Sequence, residues 1–550
     1  MQNKVLKVHP DDNLIVALED FKTGDQVQLD GQTYLIQDSV PLKHKFAARD
    51  FQVGDDVFMY GVLVGKATIF IPKGSRIHTK NVVHSTHEAE LKLKNEVWTA
   101  PDTSASVSRT FDGYHRADGR VGTMNQWLVI PLVFCENRNI EIIKASMLEQ
   151  LGYAAQQDFV VDTNALIDLY KNGASVADLQ QANILKTSSD ITKSRLFPNV
   201  DGIQFLTHDG GCGGIRQDSE TLCRLLASYI AHPNVAGATV LSLGCQNAQI
   251  KLLTDVLDEI APDLEKPLYI LEQQQSASER EFIAEAVKQT FIGLIAANKI
   301  ERQPAGLEHL TIGLECGGSD GFSGISANPT LGQVSDLVVG LGGTTILSEF
   351  PELNGVEQEI IGRCETEALA VKFNDLMQTY AQRAKAVGSG FDMNPSPGNI
   401  KDGLITDAMK SAGAAKKGGT SPIRDVLDYT EIAYRKGLNL LCTPGNDVES
   451  TTGLAGSGAN IILFTTGLGT PTGNPITPVI KVASNSILAE RMSDIIDFDT
   501  GSIISGEETI ETRGAALLDY IIEVASGEKT PAAVRLGQHD FIPWKRGVSL

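Results

Sequence analysis

Short apolar runs separated by turn residues fill the first 95 positions of the chain. Runs such as VQLDGQTYLI and VFMYGVLVGKATIFIP are punctuated by glycines at hairpin-like intervals. Apolar and polar positions that alternate over a few residues between turn signals are typical of short β-strands. We therefore predict a compact all-β domain over residues 1–95, with no helix of ordinary length after its opening segment.

Residues 96–113 lose this periodicity and are rich in Ser, Thr and Ala. We predict that they form a linker, after which the pattern changes. Beyond them, apolar runs of strand length alternate with stretches of helical periodicity, which predicts an α/β main body with mainly parallel sheet. We divide this body into an α/β domain at 114–390 and a second α/β domain at 391–550. The predicted strands are 127–134, 202–208, 238–244, 267–273, 310–315, 344–350, 438–443 and 460–465, and a helix is predicted at 278–299.

One segment of the second α/β domain approaches low complexity. The run SAGAAKKGGT at 411–420 contains only small residues and lysines. We interpret it as a mobile loop, of the kind that closes over a site as a lid.

The charge and hydropathy of the chain exclude several kinds of partner. The 550 residues carry a net charge of −21, which argues against nucleic acid because an acidic surface repels phosphates. No apolar run approaches the ~20 residues that cross a bilayer, and the N-terminus lacks the pattern of a signal peptide. We therefore expect a cytoplasmic protein. Its seven cysteines are odd in number and widely spaced, which does not indicate a disulfide framework.

Four of these cysteines share one context, because each ends an apolar run and is followed by polar or glycine residues. Strand carboxyl ends meet at one edge of a parallel sheet, so these positions can converge on a ligand. The alternative is that they are small apolar residues that pack well at strand ends. No CxxC pair indicates a structural zinc site, and no glycine motif indicates nucleotide binding. The four are Cys135, Cys212, Cys245 and Cys316.

Polar residues accumulate in the same loops and in the β domain. Oxygen ligands suit hard divalent cations, and iron also accepts imidazole and thiolate. The alternative for each Asp or Asn is ordinary turn chemistry. His44 and His78 each stand next to or near a lysine of the β domain, where an isolated histidine is often only a surface residue.

Longer blocks of sequence identify a family. HKFA (44–47) and IHTKN (77–81) resemble the small β-clip module, or SAF domain, of the altronate/galactarate dehydratase family. The main body is similar to that family, and nearest to its altronate branch. The blocks that carry this resemblance are RADGRVGTMN (116–125), HPNVAGATVLSLGCQNAQ (232–249), LECGGSDGFSGISANPTLG (314–332), NPSPGN (394–399), LLCTPGND (440–447) and FTTGLGTPTGNPITPVIKVASN (464–485).

The sequence departs from the family pattern in three places. The loop HDGGCGGIRQ (208–217) keeps the family's histidine and cysteine but not their neighbours, which puts the substrate in doubt. Met124 replaces an arginine that is usual before Asn125. Residues 140–200 are additional sequence, which we interpret as a helical insertion at the surface or an oligomer contact.

The resemblance implies a hydro-lyase that converts a hexonate, D-altronate, to 2-keto-3-deoxy-D-gluconate. It also implies a divalent metal, Fe²⁺ or else Mn²⁺. The alternative rests on the cysteines, because three or four converging thiols could hold an iron–sulfur cluster. Such an enzyme must remove a weakly acidic α-proton, stabilise the enediolate and protonate the leaving β-hydroxyl. A galactarate dehydratase or a sulfo-lyase of the same family stays open, as does a non-catalytic sugar-acid-binding protein. Homo-oligomers are compatible with the sequence.

The residues that we assign to these tasks come from both the β domain and the main body. The predicted catalytic residues are His44, Lys45, His78 and His208. The predicted metal ligands are Cys135, Cys212, Cys245 and Cys316. The predicted substrate-binding residues are Asn81, Asn125, Gln217, Asn247, Ser319, Asp320, Asn446 and Asp447.

Overall fold

The structure is a computed structural model that describes residues 4–87, 89–94, 97–154, 159–187 and 194–549. Some predicted positions lie outside the described residues. They are the domain and linker limits at residues 1, 95, 96 and 550, and two stretches of the predicted insertion, 155–158 and 188–193. No described helix combines the length and the apolar character needed to cross a membrane.

The N-terminal domain consists of eight short strands in three small sheets, and every pairing is antiparallel. Asp30 and Gly31 both have positive φ, as a two-residue hairpin turn of the primed type requires. Tyr60 and Gly61 make the equivalent turn. The predicted all-β domain is confirmed. Its strands are β1 (Val5–Leu6), β2 (Leu14–Ala17), β3 (Gln26–Leu29), β4 (Gln32–Leu35), β5 (Lys45–Ala47), β6 (Asp56–Met59), β7 (Val62–Ala67) and β8 (Val82–Val83).

The middle of the chain forms a four-stranded parallel sheet in the order β14-β11-β15-β16, with helices against it. The indole of Trp127 is fully buried in its core. The elements are β9 (Thr110–His115), β10 (Val121–Gly122), β11 (Gln126–Pro131), a 3-10 helix (Phe134–Glu136), α1 (Asn137–Met147), β12 (Phe159–Val161), α2 (Thr163–Lys171), α3 (Val176–Gln181), β13 (Leu185–Thr187), β14 (Gly202–Phe205), α4 (Arg216–Ala231), β15 (Val235–Ser242), α5 (Ile250–Ile260), β16 (Leu268–Glu272), a 3-10 helix (Gln273–Gln275) and α6 (Glu279–Ala297).

The predicted insertion contains a small exposed substructure. The two strands β12 and β13 pair antiparallel, and helices α2 and α3 have no buried residue. The sequence predicted surface helices here but not the pair of strands.

The C-terminal part forms a seven-stranded parallel sheet in the order β20-β21-β19-β18-β22-β23-β24. A strand at the start, β17, pairs instead with β9. The elements are β17 (Gln303–Gly306), a 3-10 helix (Leu307–His309), β18 (Thr311–Cys316), α7 (Ala327–Gly340), β19 (Thr344–Leu347), a 3-10 helix (Phe350–Leu353), α8 (Glu357–Arg363), α9 (Glu367–Ala386), a 3-10 helix (Phe391–Met393), α10 (Pro397–Lys401), α11 (Asp407–Ala414), a 3-10 helix (Ala415–Gly418), β20 (Ile423–Leu427), β21 (Gly437–Leu441), α12 (Asp447–Gly456), β22 (Ile461–Thr466), β23 (Val479–Ala483), α13 (Ser486–Arg491), β24 (Phe498–Asp499), α14 (Gly501–Ser505), α15 (Ile510–Ala525) and α16 (Ala532–Arg535).

The two parallel sheets divide the chain between residues 272 and 311. The sequence analysis placed the border between the α/β domains at 390/391, which falls between two strands of the same sheet, β19 and β20. Strands from both sides of that border interleave in the sheet, and strand order in space is not visible in the order of apolar runs.

The predicted mobile loop at 411–420 is wrong. Residues 407–414 form α11, which continues into the 3-10 helix 415–418, and both pack in the interior. The Gly and Ala residues of this segment allow close packing. Gly413, for example, lies against Gly324, and an added Cβ would be 3.1 Å from the Cα of Gly324.

Many hydrogen bonds connect the three parts, including those that Asn234 of the middle domain donates to the carbonyls of Asn460 and Ile476 of the C-terminal domain. The β domain lies on its own chain's C-terminal domain, where Thr406 Oγ1 donates a hydrogen bond of 2.8 Å to the carbonyl of Val64. A segment after α16 returns to the middle domain, where Asp218 accepts hydrogen bonds from the backbone N–H groups of Arg546 and Gly547. The Arg546 side chain binds Asp428 of the C-terminal domain through two nitrogens.

Candidate active site

A buried cluster of ionisable groups lies at the carboxyl edge of the seven-stranded sheet. Its centre is formed by Cys316, Glu349 and Glu352, which each offer one ligand atom within 4.8 Å of the others. Cys316 is the last residue of β18, and both glutamates follow β19, the neighbouring strand. The edge of a parallel sheet where strands end is the usual place for a ligand in such folds.

The backbone at Glu349 is bent so that both carboxylates face the thiol. Glu349 has a φ of 65°, in the left-handed region that costs most residues about 1–2 kcal/mol. Its N–H donates to Thr443 Oγ1 at 2.8 Å, which holds this conformation. The 3-10 helix that begins at Phe350 then brings Glu352 back to the same side, where the thiol of Cys316 lies 3.0 Å from Glu352 Oε2.

Two lysines from the α11 segment balance part of the negative charge. Lys417 Nζ lies 2.6 Å from Glu349 Oε2 and 2.9 Å from the sulfur of Cys316, and its side chain is 1% exposed. Lys410 Nζ lies 2.6 Å from Glu352 Oε1. The segment expected to be a lid, 411–420, therefore supplies one of these cations, Lys417, and Lys410 directly precedes it.

A third carboxylate adjoins this set. Glu315, directly before Cys316, is fully buried and accepts hydrogen bonds from Ser348 (2.7 Å) and Ser450 (2.6 Å). Its other oxygen, and Oε1 of Glu349, have no hydrogen-bond partner. Unpartnered buried carboxylate oxygens are costly, so they indicate a position that a ligand can fill.

Burial and mutual repulsion shift the protonation of the cluster. Burial, reinforced by neighbouring carboxylates, raises the pKa of Glu315 and of Glu349. Burial also raises the pKa of Asp447 to about 7, with further contributions from Glu349 and Glu352. Burial alone would lower the pKa of Lys417, but the surrounding thiol and carboxylates raise it well above its ordinary value. The cluster therefore favours an additional cation.

The donor set fits a divalent metal ion. Cys316 supplies sulfur, Glu349 and Glu352 supply carboxylate oxygens, and the unpartnered oxygen of Glu349 is available. Iron and manganese accept carboxylates, and iron also accepts thiolate.

The β domain contributes a second group of charges to the same edge. Lys43 Nζ forms an ion pair of 2.8 Å with Asp320, whose other oxygen accepts hydrogen bonds from Ser323 and Ser484. Lys45 is fully buried and donates to the carbonyl of Gly403 at 2.8 Å. Burial lowers the pKa of Lys45 to about 7.

His44 is held as a neutral ring. Its Nδ1 lies 3.1 Å from the Arg76 guanidinium, which can only donate, and its Nε2 donates to the carbonyl of Lys401 at 2.9 Å. Burial, together with the charge of Arg76, lowers the pKa of His44 to about 4.

Other predicted residues of this half have local roles in the structure. Asn81 accepts a hydrogen bond from the N–H of His78 and donates to the carbonyl of Arg76, so it closes a turn. His78 is half-exposed, and its pKa is lowered by partial burial and by Arg76. Ser319 is buried and its carbonyl accepts from Asn399. Asn446 is exposed and caps α12.

The predicted residues of the middle domain lie at a different sheet. Both ring nitrogens of His208 are used by backbone groups, the carbonyl of Pro131 and the N–H of Gly210. Gln217 and Asn247 are exposed. Asn125 lies before β11, at the opposite edge of the sheet, and its amide binds only protein groups. The structure does not bring Asn125 to the strand carboxyl ends.

The four cysteines predicted to share one site divide between the two sheets. Cys316 is buried, whereas Cys135, Cys212 and Cys245 are exposed in loops of the middle domain. Helix α12 connects the two regions. Its Glu449 lines a cavity of about 420 Å³ together with Cys212, and its Asp447 lies against the loop after Cys316, where an added Cβ at Gly317 would overlap it.

Sequence reasoning missed four central residues: Glu349, Glu352, Lys410 and Lys417. The signal for Glu349 was present, because SEF ends a predicted strand just as LEC does, whereas Glu352 lies beyond that strand. The lysines carried no such signal, since a run of Gly, Ala and Lys has the composition of a loop.

A parallel-sheet edge that gathers buried carboxylates, a thiol and two lysines defines an enzyme that acts on a small polar molecule. Three family models match this chain in order along its length. They are the "Altronate/galactarate dehydratase SAF domain" at 3–85, the "D-galactarate dehydratase/Altronate hydrolase, second domain" at 113–298, and the "D-galactarate/Altronate dehydratase, C-terminal" at 307–549. The chain belongs to the altronate/galactarate dehydratase family, and it is a hydro-lyase.

Curated relatives match nearly the whole chain. The altronate dehydratase of Escherichia coli (strain K12) is 34% identical over 99% of both chains. The altronate dehydratase of Bacillus subtilis (strain 168) is 32% identical over 95% of both. The galactarate dehydratase (L-threo-forming) of Escherichia coli (strain K12) is 30% identical over 97% of this chain and 95% of its own.

Proposed function

We propose that the protein removes water from a hexonate, D-altronate, and releases 2-keto-3-deoxy-D-gluconate. The observation that carries this proposal is the buried set of Cys316, Glu349 and Glu352 with its two lysines at the carboxyl edge of the large sheet. The full-length similarity to two altronate dehydratases supports the choice of substrate.

The reaction requires a base for the proton next to the carboxylate. Lys45 suits this task because its pKa of about 7 leaves a large fraction of neutral amine at neutral pH. Asp320, which forms an ion pair with Lys43, is the charged group that acts on Lys45 and opposes the lowering of its pKa by burial. Lys43 would attract the substrate carboxylate, and Asp320 would accept hydrogen bonds from its hydroxyl groups.

The leaving hydroxyl must receive a proton. Asp447, with a pKa raised to about 7, carries a proton on a substantial fraction of molecules at neutral pH. We assign it the role of the acid. His44, whose two ring nitrogens bind Arg76 and the carbonyl of Lys401, would hold these neighbours in position beside the site.

Cys316, Glu349 and Glu352 would hold a divalent cation, Fe²⁺ or Mn²⁺. When bound, such a cation supplies positive charge that stabilises an enediolate. Lys410 and Lys417 would keep the three ligands in place and partly neutralised. We further propose a cytoplasmic location and homo-oligomers, and we expect no nucleic-acid partner because the net charge is −21.

An anaerobic assay tests this function. The purified protein is incubated with altronate, galactarate or sulfolactate, with and without ferrous iron, and the keto acid and released sulfite are measured. We expect keto acid from altronate at the highest kcat/KM, with stimulation by iron. A higher kcat/KM for galactarate, or release of sulfite from sulfolactate, would show that altronate is not the preferred substrate. Binding of all three compounds without turnover would indicate a sugar-acid-binding protein.

Variants of the metal set refine this test. Glu352→Gln removes one proposed ligand with little change in volume, and Glu508→Gln is the control because it changes a partly exposed glutamate outside the cluster. We expect Glu352→Gln to lower kcat at least about 100-fold, as loss of one strong electrostatic group does. Equal activity of both variants would contradict the proposed role of the cluster.

A further inference from the structure

Three of the seven cysteines are exposed, and all three lie in one region. Cys135, Cys212 and Cys245 follow β11, β14 and β15, which are adjacent strands of the four-stranded sheet. The other four cysteines are buried. Cysteine is ordinarily among the most buried residue types, so a group of three exposed thiols at one sheet edge requires an explanation.

Backbone hydrogen bonds join the three loops into one unit. The N–H of Phe134, next to Cys135, donates to the carbonyl of Gly210 at 3.1 Å. The N–H of Asn247, two residues after Cys245, donates to the carbonyl of Gly211 at 2.9 Å. Gly211 has a φ of 96°, and an added Cβ would overlap the carbonyl of Leu132, so only glycine permits this approach.

The surroundings of the thiols suit a sulfur-ligated centre. Gln274 Nε2 donates to the sulfur of Cys245 at 3.3 Å. Hydrogen bonds to ligand sulfur are a common means of tuning metal–thiolate centres. Thiolates are soft ligands and select zinc or iron–sulfur clusters over hard cations.

The spacing of the sulfurs separates these two possibilities. A tetrahedral zinc ion with Zn–S bonds of ~2.3 Å would need the sulfurs about 3.8 Å apart. The three exposed sulfurs are not all within 4.8 Å of one another. Within the described part of the chain, the one trio of possible metal ligands that meets this distance is Cys316, Glu349 and Glu352. A cluster takes each thiolate on a different iron, which accommodates the wider spacing.

We propose that Cys135, Cys212 and Cys245 ligate an iron–sulfur cluster of the [4Fe–4S] type, with one iron that has no cysteine ligand. This centre belongs to the middle domain and is separate from the set of Cys316, Glu349 and Glu352 in the C-terminal domain. It requires that the full-length protein bind both iron and inorganic sulfide.

Anaerobic reconstitution of the full-length protein tests the proposal. The metal-free protein is incubated with ferrous iron, ferric iron and sulfide, desalted, and analysed for iron, acid-labile sulfide, visible absorbance and the electron paramagnetic resonance of the dithionite-reduced sample. We expect about four iron and four sulfide per chain above any iron at the C-terminal site, with visible absorption that dithionite bleaches. Binding of iron without sulfide would overturn the cluster, as would stoichiometric zinc in a sulfide-free incubation of Cys316→Ala, in which the C-terminal set has lost its thiol.

Variants locate the centre and separate it from the dehydratase site. Cys135→Ser, Cys212→Ser and Cys245→Ser should each lower sulfide content at least 3-fold, and the triple variant should bind none. Cys223→Ala, at a buried cysteine of the same domain, is the matched control and should keep the cluster. Cys316→Ala should also keep it, whatever its dehydratase activity. Sulfide content in the triple variant equal to that of the unaltered protein would refute the site, and would leave the proposed function untouched.

Discussion

Lys417 lies in an unusual position for a lysine, since it is almost fully buried among a thiol and three glutamates. Its ammonium group contacts Glu349 and Cys316 directly. A buried ion pair adds little stability over an apolar pair, but removing one partner leaves an uncompensated charge in the interior. The main effect of Lys417 is therefore to compensate the buried charge of its neighbours, and it adds little net stability over an apolar residue.

We expect Lys417→Met to lower the free energy of unfolding by about 3–5 kcal/mol, because Glu349 would remain buried without its partner. The measurement is a urea titration of both proteins. Lys372→Met removes an ion pair with Glu431 whose side chains are 41% and 48% exposed, and should cost less than about 1 kcal/mol. Equal losses in the two variants would show that Glu349 does not need a buried partner.

His44 makes stability depend on pH. Its pKa is about 4 in the folded protein and about 6.5 in an unfolded chain, so the unfolded state binds more protons between these values. Stability is therefore lost as pH falls from about 6.5 towards 4, by up to ~3 kcal/mol. Above pH 7 the ring is neutral in both states and contributes no pH dependence.

The measurement compares unfolding of the unaltered protein and His44→Gln at pH 7, 6 and 5. Glutamine can still donate to the carbonyl of Lys401 and does not titrate. We expect the free energy of unfolding of the unaltered protein to fall, relative to that of His44→Gln, as the pH is lowered from 7 to 5. His115→Gln, at an exposed histidine, is the control, and a parallel shift in this control would attribute the effect to the chain as a whole.

At the scale of elements, the α11 segment depends on contacts between small residues. Gly324, in the loop after β18, lies against Gly413 of α11, and an added Cβ at Gly324 would be 2.8 Å from the Gly413 Cα and 2.5 Å from the Tyr60 hydroxyl. The backbone at Gly324, the backbone at Gly413 or the Tyr60 side chain must therefore move. The displaced element carries Lys410 and leads directly into Lys417.

Gly324→Ala should therefore cost about 1–3 kcal/mol of stability and lower kcat, because overpacking displaces helix α11, which carries Lys410 and continues into the 3-10 helix with Lys417. Thermal unfolding and the altronate assay measure the two effects. Gly214→Ala is the matched control, since its added Cβ would meet nothing closer than 3.9 Å. A Gly324→Ala protein as stable and as active as this control would mean that the contact relaxes without cost.

The same segment shows what the sequence could and could not predict. The eight strands predicted for the main body lie close to observed strands, for example 461–466 against an expected 460–465, because apolar periodicity is local. Strands β20, β23 and β24 of the large sheet were not predicted. The cluster was predicted only at Cys316. Glu349 and Lys417 are 68 positions apart and meet through packing, which no local pattern records. Small residues at 411–420 have the composition of a loop, although here they serve close packing.

At the scale of the whole molecule, the residues after α16 form one of the connections between the middle and C-terminal domains. Arg546 binds Asp428 of the C-terminal domain through its guanidinium, which also lies 4.3 Å from the centre of the Trp544 ring. Its backbone N–H binds Asp218 of the middle domain. The border between domains was not predictable from the chain order, since strands from both sides of residue 390 share one sheet.

Arg546→Ala should loosen this connection without unfolding either domain. We expect the calorimetric unfolding of the variant to show two transitions, or one transition broader than that of the unaltered protein. The reason is that the variant lacks the contact between the Arg546 side chain and Asp428. Faster cleavage by trypsin between the domains is the second readout. Arg491→Ala, at an exposed arginine of α13, is the control. An unchanged calorimetric profile would show that the other contacts between the domains, such as the hydrogen bonds of Asn234 to Asn460 and Ile476, couple them without the Arg546 side chain.

The order of strands in the large sheet has a consequence for how the protein is made on the ribosome. β18 is the first of the seven strands to be synthesised, and it lies inside the sheet, with β19, β21 and β20 on one side and β22, β23 and β24 on the other. Later strands add outside those already made, with one exception: β21 lies between β19 and β20, which are both synthesised before it. Glu315 and Cys316 are therefore exposed on a nascent edge until β19 and β22 arrive, and the buried centre is completed only when residues from both sides have joined it.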